Sequence, residues 1–143
     1  MPLTRYVVQK NEKDTWKLKP IFKGKMFVLC KFEDLLHLQS IDNNIKYFFK
    51  DRKPEYIDDK NIVFIKKALS SGNEVEIVNK EMKGAPFIDI DSPEFGALYM
   101  KKSVYREKDV ISWAVPVIKN TLIIEPDSIF LKYLIYENQD NLV

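Results

Sequence analysis

The sequence predicts an α+β fold: a mainly antiparallel sheet, two or three helices between residues 32 and 71, and a short C-terminal helix. Three observations predict it. Apolar residues alternate with period two towards both ends of the chain. Between those stretches they recur at helical spacing. No Pro/Gly/Ser-rich linker divides the 143 residues, so the chain reads as one domain, 1–143, with its sheet built from both ends.

The elements follow in order. Leu3–Val8 alternates as a strand and is followed by a polar turn, Lys10–Asp14. Trp16-Lys17-Leu18-Lys19 alternates again, and Lys23-Gly24-Lys25 is a turn leading into Met26–Leu29. Phe32, Leu35, Leu36 and Leu38 fit a helix whose start carries Glu33 and Asp34, the charges favoured at a helix N-terminus. Asp42 is expected to cap a second helix through Phe49, which Pro54 would end. The clearest helix starts at Asp58 or Asp59: Ile62, Ile65 and Leu69 share a face, and Gly72 marks its stop. Glu74–Val78 and Phe87–Asp91 return to alternation, with Ala97–Met100 as a further strand. Trp113–Ile118 and Thr121–Ile124 flank Lys119-Asn120 as a hairpin, with Pro116 at an edge or bulge. Pro126-Asp127-Ser128 then opens a helix, Ile129 to Tyr136.

Composition excludes whole classes of function. One cysteine, Cys30, forbids an internal disulfide and multi-cysteine zinc frameworks. One histidine, His37, weighs against most triads. The four glycines form neither G-x-G-x-x-G nor G-x-x-x-x-G-K. No apolar run reaches the roughly 18 residues of a membrane span, and no signal-peptide block opens the chain, so a cytoplasmic protein with no membrane partner is expected. No cofactor is called for. Charge is uneven: Met1–Lys31 holds eight basic and two acidic residues, the rest 15 and 19.

Several constellations bear chemistry. Asp89 and Asp91, two apart on a strand and followed by Glu94, form a candidate divalent-cation site and the basis of a metal-dependent hydrolase reading. Glu81-Met82-Lys83 has the spacing of some nucleases but sits beside Gly84 in a turn. Glu33 and His37 are a helical i, i+4 pair, and Cys30 closes an apolar strand as an inert, buried thiol. Arg5, Lys17, Lys19, Lys23 and Lys25 lie among Tyr6, Trp16, Phe22 and Phe27, the mixture by which single-stranded nucleic acid is held. None of these assigns a catalytic, cofactor-binding or metal-binding residue.

The order of segments resembles one group of bacterial toxin-immunity proteins of polymorphic and contact-dependent toxin systems. The resemblance runs through Arg5-Tyr6-Val7-Val8, Phe22-Lys23-Gly24, Pro54-Glu55-Tyr56-Ile57 leading to Ile62–Leu69, the strand Glu74–Val78, the hairpin, and Ser128 to Tyr136. It implies a non-catalytic cytosolic protein that binds and neutralises a cognate toxin. Affinity at such a surface comes from a few aromatic or arginine anchors in a charged rim. Tyr99, Tyr105, Arg106 and Trp113 are the expected anchors. Asp89, Asp91 and Glu94, with Glu107 and Asp109, are the acidic groups expected to meet a basic partner.

Overall fold

Alternating residues do form strands at both ends of the chain, but they enter separate sheets. The computed structural model describes residues 4–9, 22 and 25–138, and the chain divides into two compact units, 1–57 and 58–143. The expected strand Trp16–Lys19 and the turns at Lys10–Asp14 and Lys23-Gly24 lie outside the described residues.

In the first unit, β1 (Thr4–Gln9) pairs antiparallel with β2 (Lys25–Cys30) and, at its far end, with β3 (Lys46–Tyr47). Helix α1 (Phe32–Ile41) begins where the Lys31 N–H donates to Asp34 Oδ2 at 3.2 Å. Leu35 is its buried residue and packs with Cys30, Val28, Phe32, Ile45 and Tyr47. The second helix expected from Asp42 does not form. Asp42 closes α1 instead, and its Oδ1 accepts the Asn44 N–H at 2.9 Å in a side-chain turn. Lys46–Tyr47 is then taken up by β1, while β4 (Phe49–Lys50) and β5 (Lys53–Pro54) form a hairpin. The aromatic run Tyr47-Phe48-Phe49 favours extended backbone, and pairing with β1 decides the contest.

The β4–β5 turn places Asp51 and Arg52 at φ 52° and 65°. Two left-handed residues in a two-residue loop are the geometry that Asn-Gly adopts most readily. Asp51→Asn/Arg52→Gly should therefore stabilise the chain by about 1–2 kcal/mol, seen as a higher urea midpoint. An unchanged or lower midpoint would show that the turn carries no such strain.

The second unit is a five-stranded antiparallel sheet of order β6-β10-β9-β8-β7, with two helices. The strands are β6 (Val75–Val78), β7 (Ala85–Ser92), β8 (Gly96–Tyr105), β9 (Lys108–Ala114) and β10 (Thr121–Ile124). Helix α2 (Asp59–Leu69) starts at Asp58, whose Oδ1 accepts the Lys60 N–H at 2.9 Å. Helix α3 (Ile129–Glu137) starts at Ser128, whose Oγ accepts the Leu131 N–H at 3.0 Å. Both helices meet the sheet through Phe64, which touches Trp113 and Phe130 edge-on or tilted at 4.9 and 5.7 Å. Register places Met100, Trp113 and Leu122 side by side beneath it. On α2, buried Asn61 donates to the Phe95 carbonyl at 2.8 Å and ties the β7–β8 turn to the helix.

The opposite face is partly closed by residues 79–84, which run from the β6 edge to the β7 edge across the sheet. The Thr121 hydroxyl donates to the Lys80 carbonyl at 2.7 Å, and Met82 packs on Val78, Val110 and Ile123. Gly84 then lies against the β8 backbone, where a Cβ would overlap the Lys102 carbonyl oxygen and sit 2.6 Å from Ser103 Oγ.

Two boundaries differ from expectation. β8 and β9 form one long hairpin turning at Arg106-Glu107, and β9 ends at Ala114, so Pro116 lies outside the strand. The β9–β10 connection closes with the Val115 N–H donating to the Asn120 carbonyl at 3.0 Å, and holds Val117 at φ 74°, a conformation costly for a β-branched residue. No helix among the described residues is long and apolar enough to cross a membrane.

Candidate functional site

The seven residues expected at a contact surface fall in four places. Asp89 is paired directly with Tyr99, and Asp91 with Ala97, so these residues share the sheet face away from the helices. Tyr99 is 52% exposed there. Glu94 lies in the β7–β8 turn and pairs with Lys67 of α2 at 2.6 Å. That hydrogen bond holds the Lys67 ammonium above its ordinary pKa. Lys67 also sits over the rings of Phe95 and Tyr133, at 5.5 and 5.4 Å. Trp113 is corrected: it is 2% exposed and packs against Phe64, so its ring is core and unavailable to a partner on the folded surface.

Tyr105 and Arg106 stand at the tip of the β8–β9 hairpin and line a groove of about 360 Å³. Short elements converge on it. Glu74 ends a single 3₁₀ turn (Gly72–Glu74), Glu76 follows on β6, Asp109 comes from β9, and Glu125 and Asp127 leave β10 on either side of Pro126. Val110 and Ile123, both buried, give it an apolar floor. Five carboxylates thus face two cations, Arg106 and Lys108.

Two of the five are occupied. Glu74 Oε1 accepts the Ile129 N–H at 3.2 Å, at the positive end of α3, and the Glu74 carbonyl accepts the Glu125 N–H at 3.1 Å. Glu76 Oε1 accepts the Tyr105 hydroxyl at 3.3 Å and meets Arg106 Nη2 at 3.6 Å. The Arg106 guanidinium lies 5.0 Å from the Tyr105 ring centre. Both charged partners are exposed, so this pair adds about 0–1 kcal/mol and mainly orients the side chains. Asp109, Glu125 and Asp127 remain to present negative charge at the groove.

Of the residues lining this groove, the sequence reading names Tyr105, Arg106 and Asp109 as contact residues and does not so name Glu74, Glu76, Glu125 or Asp127. The alternation of Glu74 and Glu76 was visible. That β6 pairs with β10, bringing Glu76 opposite Ile123 and the chain beyond β10 to Glu74, was not.

Among the described residues no three His, Cys, Asp or Glu side chains converge on a point that could hold a metal ion. Asp89, Asp91 and Glu94 are held apart, since the turn aims Glu94 at α2. Cys30 is buried; burial and the nearby Asp34 carboxylate push its thiol pKa up, against a nucleophilic role. His37 lies exposed on α1. Of the basic strand residues, Lys25 is described and partial burial pushes its pKa down; Lys17, Lys19 and Lys23 lie outside the described residues. Charge nonetheless separates by unit: residues 1–57 hold twelve basic and seven acidic side chains, residues 58–143 eleven and fourteen. Comparison with family models, curated proteins and solved structures finds no match.

Proposed function

We propose that this chain is a non-catalytic protein-binding module whose second unit takes a basic protein partner at the acidic groove. The observation that carries this reading is the groove itself. An aromatic–arginine pair stands at its rim, an apolar floor lies beneath, and the carboxylates of Asp109, Glu125 and Asp127 are not committed to internal bonds among the described residues. Binding surfaces concentrate their energy in such aromatic and arginine anchors, and complementary charge speeds the encounter. The resemblance read in the sequence narrows the partner to a toxin domain neutralised in the cytosol. A basic, nucleic-acid-acting toxin is the chemistry that the groove complements.

The test is affinity capture from the native host with mass spectrometry, followed by calorimetry on the captured partner. A stoichiometric basic protein is expected. Glu125→Lys/Asp127→Lys should weaken it by at least about tenfold, with the circular dichroism spectrum unchanged. Failure to capture any protein, or undiminished affinity in the reversed variant, would refute the reading. Capture of nucleic acid released by high salt would favour the rival, binding through the basic N-terminal strands.

A further inference from the structure

Helix α3 breaks the usual rule for a surface helix. Its inner side, Phe130, Leu131 and Leu134, is buried as expected. Its outer side, where polar residues belong, carries Ile129, Tyr133 and Tyr136 at i, i+4 and i+7. These are 77%, 40% and 71% exposed. Lys132 and Glu137, both exposed and of opposite charge, border the stripe on its two sides. Contiguous apolar surface of this kind marks an interaction site.

The surroundings say what would cover it. Ile129 and Tyr133 border a shallow depression of about 640 Å³ between the C-terminal end of α2 and α3, lined also by Lys67, Ser70, Ser71 and Glu74. Glu74 lines this depression and the acidic groove alike, so the two adjoin at that residue. Glu125 and Asp127 lie on the segment that enters α3, and Glu137 ends the helix. Among the described residues the one cation lining the depression, Lys67, is already paired with Glu94. An apolar stripe at helical spacing, with carboxylates at both ends and a trough along one side, complements a helix that is apolar on one face and basic at its margins.

We propose that the outer face of α3 is the anchoring surface for a basic amphipathic helix of a partner protein, with Ile129, Tyr133 and Tyr136 as its anchors. This deepens the protein-binding reading and rests on it.

The test uses the full chain and two designed, fluorescein-labelled helical peptides followed by anisotropy. One combines leucine and lysine in amphipathic register; the other replaces lysine with glutamate. The leucine–lysine peptide should bind and the leucine–glutamate peptide should not. Ile129→Ser/Tyr136→Ser should weaken binding about tenfold. Val104→Ser, at another exposed apolar position on β8, should leave it unchanged. Both α3 side chains are solvent-facing, so the variant should keep its fold, checked by circular dichroism. Three results would overturn the inference. The first is equal binding of the two peptides, or of neither. The second is loss of binding in Glu125→Lys/Asp127→Lys but not in the α3 variant, which leaves the acidic-groove reading standing. The third is a dimer in sedimentation that the α3 variant dissociates, which would make a second copy the occupant.

Discussion

Phe64→Ala should cost about 3–5 kcal/mol, a large share of the roughly 5–15 kcal/mol that holds an ordinary domain together. Phe64 has no exposed surface and is the point where four elements meet. Its ring touches Phe95 from the β7–β8 turn, Trp113 from β9 and Phe130 from α3, at 5.4, 4.9 and 5.7 Å. Truncation removes those ring contacts and leaves a void whose neighbours are anchored in separate elements and cannot collapse together. The measurement is urea unfolding followed by far-ultraviolet circular dichroism. Tryptophan emission adds a local report, because Trp113 borders the void and should shift to the red in the native baseline. Phe64→Leu, which keeps most of the volume, should cost much less. A loss below about 1 kcal/mol for the alanine variant would show that this cluster does not organise the unit. Because Phe130 belongs to α3, the same change should loosen the helix that borders the acidic groove.

Gly84→Ala should cost about 1–3 kcal/mol by overpacking. An added methyl would overlap the Lys102 carbonyl oxygen, and that oxygen cannot retreat, because Lys102 is held in register by Ala85 on one side and Ile111 on the other. Ser103 Oγ, 2.6 Å from the same methyl, is held by the Ser112 hydroxyl at 2.7 Å. Gly72→Ala makes the informative contrast. No atom lies within 4 Å of its Cβ position, and its φ of +82° alone sets the penalty. That penalty is about 1–2 kcal/mol of backbone strain. Paired urea titrations should therefore show Gly84→Ala little relieved by Ser103→Ala, which leaves the backbone overlap in place, and Gly72→Ala indifferent to it. Full rescue would mean that the Ser103 hydroxyl, and not the Lys102 carbonyl, sets the clash at Gly84.

Helix α2 was legible because its signals are local. Asp58 caps it, Ile62 and Ile65 bury one face, and Gly72 lies just beyond its end with a positive φ. Helix α3 was legible for the same reason, through Ser128. The β8–β9 hairpin was only half seen. Its turn residues, Arg106 and Glu107, adopt φ values of 51° and 64° without the Asn or Gly that usually announces them. The stretch 42–49 departs from the helix its spacing predicts because an apolar run this short fits both periods, and its strand partner lies some forty residues earlier.

The sequence by itself determined the α+β class, the helices capped by Asp58 and Ser128, the separation of charge along the chain and the aromatic–acidic character of the second unit. All of these depend on residue type and on neighbours within a turn or two. Tertiary structure alone decided which strands share a sheet, that Trp113 is core while Tyr105 is rim, and that Glu74, Glu125 and Asp127 meet across fifty residues. It also decided which side of α3 is left uncovered. The physical reason is that period two and period 3.6 state which residues lie on one face of an element. They do not state what that face will meet, which is fixed by pairings such as β6 with β10 that close only when the whole unit assembles.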